Sequence, residues 1–169
     1  MSYRAVTAWL FGKLPSHGDF VSRGLSPEQR DRLDAWLSAE MVTARAEHGE
    51  AFEARYDSAP PWRFAGPRAG GVICPSIDGV GRRFPVVAAL SVDNALRARA
   101  AAEACEEAIF GAFADGMNAD EFWLTLSQVA LLDGEPPMTD GWWLDGADEF
   151  AAGEYPEGLL SRMLAVEHT

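Results

Sequence analysis

The sequence predicts an α/β fold: one domain over residues 1–169, with a mostly antiparallel central sheet containing a three-strand meander, flanked by helices. Three observations predict it. β-rich runs and helix-periodic runs follow one another in the order β-α-β-β-β-α-α-β-α, which suits a sheet covered by helices. Helix starts are marked by capping boxes, and glycine or proline punctuates nearly every junction. The length of 169 residues suits one core, and the composition, 48% hydrophobic and 24% charged, is that of an ordinary globular chain.

The elements follow in order. Residues 6–13, VTAWLFGK, read as a first strand, central and buried on both faces. Ser26-Pro27-Glu28-Gln29 opens a helix: Ser26 caps, Pro27 takes the first helical position and Gln29 completes the box. Leu33, Trp36, Leu37, Met41 and Ala44 form its apolar stripe, and Gly49 stops it. After Ala59-Pro60-Pro61, the runs Trp62–Phe64, Gly71–Ile77 and Phe84–Val92 form the meander, with Asp78-Gly79 in its last turn. A helix over Leu96–Ala114 buries Cys105, Ile109, Ala112 and Phe113 and ends at Gly116. Asn118–Glu121 is a second capping box, starting a helix through Leu131 with Phe122, Leu126 and Val129 inward. Pro136-Pro137 breaks the chain, Gly141–Leu144 is a last strand, and Pro156–Val166 a final helix. No repeat or linker interrupts this order.

Composition narrows the function. The net charge of −12 is lopsided: residues 1–99 carry thirteen basic and eleven acidic side chains, whereas residues 100–169 carry Arg162 against fifteen acidic ones. An acidic surface of this kind repels nucleic acid and anionic lipid and suits a basic partner. No apolar run approaches the length of a membrane span, so no membrane insertion is expected, and the N-terminus reads as strand, not signal peptide. Cys74 and Cys105 lie in apolar contexts and are expected to be free, buried thiols of a cytoplasmic protein.

Chemistry concentrates in FGKLPSHGDFVSRGL, residues 11–25. Gly12-Lys13 lacks the preceding glycines and following Ser or Thr of a phosphate loop. The three histidines, His17, His48 and His168, have no metal-ligand spacing, and Asp145, Asp148 and Glu149 lack that of a calcium loop, so no metal or cofactor is expected. A small Ser/His hydrolase, built from His17, Ser76 and Asp19 or Asp78, is the enzymatic alternative; it requires those side chains to converge in space. The non-catalytic alternative holds Lys13, Asp19, Asp78 and Arg82 through an Asp–Arg pair, with the loops around Lys13–Arg23 and Ser76–Arg82 meeting at one end of the sheet. Trp62, Trp142 and Trp143 are either contact residues or core.

Three segments together resemble the TagF family of type VI secretion-associated proteins: GKLPSHGDFVSRGL at 12–25; PWRF at 61–64 with GGVICPSIDGVGRRFPVVAAL at 70–90; and Trp142-Trp143 with glycines on both sides. They cover most of residues 10–146. The resemblance implies a cytoplasmic regulator and not an enzyme: a post-translational repressor that binds a forkhead-associated scaffold protein of the secretion system. Lys13, His17, Asp19, Arg23, Ser76, Asp78 and Arg82 would then shape or present the contact surface. In outline, the element order also resembles longin or roadblock regulatory domains.

Overall fold

The computed structural model describes residues 2–4, 7–134, 140–146 and 149–166; Pro136-Pro137 and Asp148 lie outside them. Its centre is a seven-stranded sheet built from β2 (Thr7–Gly12), β3 (Val21–Arg23), β4 (Trp62–Ala65), β5 (Ala69–Cys74), β6 (Val86–Ser91), β8 (Gly141–Trp143) and β9 (Phe150–Ala152). Their order across the sheet is β3-β2-β6-β5-β4-β8-β9, and every pair is antiparallel. A separate ribbon joins β1 (Ser2–Arg4) to β7 (Ala130–Leu132).

Each sheet face carries its own core. Alternation along a strand sends neighbouring residues to opposite faces. Ala8 and Leu10 of β2, Val72 and Cys74 of β5 and Val86, Ala88 and Leu90 of β6 pack in one cluster, with α3 (Ala98–Asp115) and α4 (Ala119–Ser127). Phe11, Ile73 and Val87 pack in the other, with α1 (Pro27–His48), α2 (Phe52–Ser58) and α5 (Leu159–Ala165). Both Cys74 and Cys105 are buried free thiols. Gly70 lets α3 approach β5 closely, since a Cβ there would run into the Ala98 carbonyl and the Ala101 side chain.

The capping signals work as the sequence implies. Ser26 accepts from the Gln29 N–H while Gln29 accepts from the Ser26 N–H, and Asn118 and Glu121 repeat the exchange at α4. Gly49 and Gly116 end their helices at positive φ.

Several expectations shift. The first strand is interior but second from an edge, because Val21–Arg23 adds an outer strand too short to show periodicity. The helix from Asn118 ends at Ser127 instead of Leu131, because Ala130–Leu132 turns away to pair with Ser2–Arg4. The final helix begins at Leu159, and α2 and β9 were not anticipated. No helix among the described residues is long and apolar enough to cross a membrane.

Candidate functional site

At one end of the sheet the segment after β2 and the turn between β5 and β6 interlock. Gly12 starts the first segment at φ +135°, where only glycine is comfortable and where a Cβ would meet the Pro85 carbonyl of the facing strand. The chain can therefore leave β2 while still in contact with β6, and Lys13 turns inward.

Asp78 is the hub. Its carboxylate accepts from the Lys13 ammonium at 3.0 Å, from the Arg82 guanidinium at 2.7 Å, and from the N–H groups of Val80 and Arg82 at 3.0 and 2.9 Å. Burial, the strongest single influence on this carboxyl, disfavours its charge. The donors together outweigh it and hold Asp78 well below the usual carboxylate range. Arg82 also donates to the Gly18 carbonyl, and the Gly79 N–H donates to the His17 carbonyl at 2.5 Å. The two loops thus share one buried anion and several direct bonds.

The remaining polar groups complete the corner. Ser76 Oγ donates to the Lys13 carbonyl at 2.7 Å. The Tyr56 hydroxyl, buried in α2, donates to the Ser76 carbonyl and accepts from the Ser76 N–H. Burial pushes that phenol above its ordinary range. His17 Nε2 accepts from the Ala119 N–H at the start of α4, which fixes the proton of the neutral ring on Nδ1. Ser16 Oγ donates to the Met117 carbonyl, and Arg23 pairs with Asp120 at 2.8 Å. Asp19 accepts from the N–H of Phe20 and faces solvent.

The structure therefore brings Lys13, Ser76, Asp78 and Arg82 together, with His17 on the rim. His17 and Ser76 are each engaged by other partners, and Asp78 is committed to cations and backbone donors. Of the tryptophans left open between contact surface and core, Trp62 is wholly buried and Trp142 is 4% exposed, both in the core with residues of α1 and α5. Trp143, half-buried, packs against the opposite core. The outward groups at the corner are instead Phe20 and Val80, 45% and 71% exposed. Phe20 lies over the Lys13 ammonium and packs edge-on against Phe84. Tyr56 was missed because nothing local in FEARYDS marks it. No cluster of His, Cys, Asp and Glu able to hold a metal ion occurs among the described residues.

Comparison with known proteins converges on the same segments. A family model described as the TagF N-terminal domain, type VI secretion system-associated, matches residues 9–130 and so takes in both interlocked loops. Trp142 and Trp143 lie beyond that match. The crystal structure of PA0076 from Pseudomonas aeruginosa PAO1 is similar, with a TM-score of 0.62 and 27% identity over 94% of this chain and 77% of that one. No curated protein matches.

Proposed function

The chain belongs to the TagF N-terminal domain family, associated with type VI secretion, and from that premise we propose that it is a negative regulator of the secretion apparatus. It acts after translation, in the cytoplasm, by binding a forkhead-associated scaffold component stoichiometrically. The observation that carries this reading is the Asp78 hub. It commits Lys13, Asp78 and Arg82 to rigidity and leaves Asp19, Phe20 and Val80 facing outward on a fixed frame. A pre-shaped surface with exposed apolar side chains is what a binding module needs.

The test is binding to the purified scaffold component, measured by calorimetry. Val80→Glu, at a position 71% exposed, is expected to weaken binding about tenfold or more while leaving the melting temperature unchanged, and Phe20→Ala to weaken it as much with some loss of stability, since that ring also packs on Lys13 and Phe84. Ser76→Ala is expected to retain binding once folding is verified. A wild-type protein that fails to bind the scaffold would overturn the reading.

A further inference from the structure

One register row runs straight across five strands: Trp9, Ala89, Gly71, Phe64 and Trp142 are successive cross-strand partners. The row beside it, Phe11, Val87, Ile73 and Trp62, is filled by large side chains and closed over. In the first row the two central positions offer only a methyl group and a hydrogen. A cavity of about 250 Å³ results, floored by Gly71 and Ala89 and walled by Trp9, Phe64 and Trp142. Ala69 and Ser91 extend the floor toward its mouth.

Size and shape restrict the occupant. Trp9 and Phe64 stand three strand spacings apart, about 14 Å. The volume exceeds the roughly 150 Å³ of a dry cavity that takes benzene, but it is too small for a helix or strand of a partner. A flat floor between aromatic walls suits a planar ring system. Charge restricts it further. Arg68, in the hairpin just before Ala69, lines the mouth, is exposed, and makes no ion pair among the described residues. Glu154 also lines the cavity and acts on the Tyr155 hydroxyl, where Arg32 opposes it; Arg68 is the cation among the lining residues.

We propose that this cavity binds a small planar aromatic carboxylate, its ring on the Gly71–Ala89 floor and its carboxylate on the Arg68 guanidinium. The inference is independent of partner binding, because its test contains no partner.

The probe is 2-naphthoate, titrated calorimetrically into the full chain, with 2-naphthylmethylamine as the ring of opposite charge. Naphthoate is expected to bind, the amine to bind at least tenfold more weakly, and Arg68→Gln to weaken naphthoate about tenfold. Ala89→Leu, which fills the floor, is expected to abolish binding. Ala69→Leu, at the more open end, does the same should Ala89→Leu fail to fold. The proposal is overturned if naphthoate gives no heat at millimolar concentration, if both probes bind alike, or if folded filling variants bind as the wild type does.

Discussion

The Lys13 ammonium lies 3.0 Å from the Asp78 carboxylate, with the two side chains 8% and 0% exposed. Removing one partner of such a pair leaves the other charge stranded away from water. Asp78→Asn is therefore expected to lower the melting temperature more than Arg82→Gln, because the Arg82 side chain is 61% exposed and can rehydrate. The sign of the pH effect follows. The folded-state pKa of Asp78 is depressed, so its contribution is complete above the unfolded carboxyl value of about 3.9 and is lost as pH falls below it. Acid unfolding curves should show Asp78→Asn losing part of that pH dependence.

Tyr56→Phe isolates a second anchor. The substitution keeps the ring and strips the Ser76 N–H of its acceptor, while the Ser76 carbonyl loses one of two donors and keeps the Phe84 N–H. A cost of about 1–3 kcal/mol is expected in urea titrations. Since burial raises the folded-state pKa of this phenol, wild-type stability should hold below the ordinary tyrosine value of about 10 and fall as pH rises past it. The Phe variant should lack that contribution.

Glu40 is 4% exposed and accepts from the N–H groups of Gly158 and Leu160, both at 3.0 Å, at the start of α5. Glu40→Ala leaves two donors unpaired and is expected to cost about 1–3 kcal/mol by urea denaturation. Glu40→Gln retains one acceptor oxygen and should recover part of the loss.

The thiols give a chemical check on packing. Burial pushes Cys74 up to about 12 and Cys105 higher still. With almost no thiolate at pH 8, neither should react with Ellman's reagent in the native protein, and both should react in denaturant. Reaction of either in native buffer would show that the core opens.

Legibility in the sequence depended on range. The long helices announced themselves because their caps are local: Ser26 with Gln29, Asn118 with Glu121, and Gly49 and Gly116 at the ends. The meander was legible because its three strands are consecutive and β-rich; that an Asp–Arg pair holds the loops was legible too, but not whether Asp19 or Asp78 supplies the carboxylate. Features made by distant partners were not legible. Ala130–Leu132 continues a helical pattern and becomes a strand only because Ser2–Arg4 lies beside it. Lys13 looks like a surface residue until Asp78, 65 residues downstream, arrives in the neighbouring turn. Trp62 and Trp142 stayed between core and contact surface, since a large aromatic suits either; the packing with residues of α1 and α5 decides for the core.

The Glu40 contact also orders events in time. The carboxylate sits on an early helix, and the backbone groups it receives are 118 and 120 residues downstream. During synthesis that anion faces water until residues 158–160 have left the ribosome. The α1 side of the sheet is thus sealed last, with Glu47 and His48 engaging Ser161 in the same act. A nascent chain can shape its α3-covered face first and carry an open second face until α5 docks.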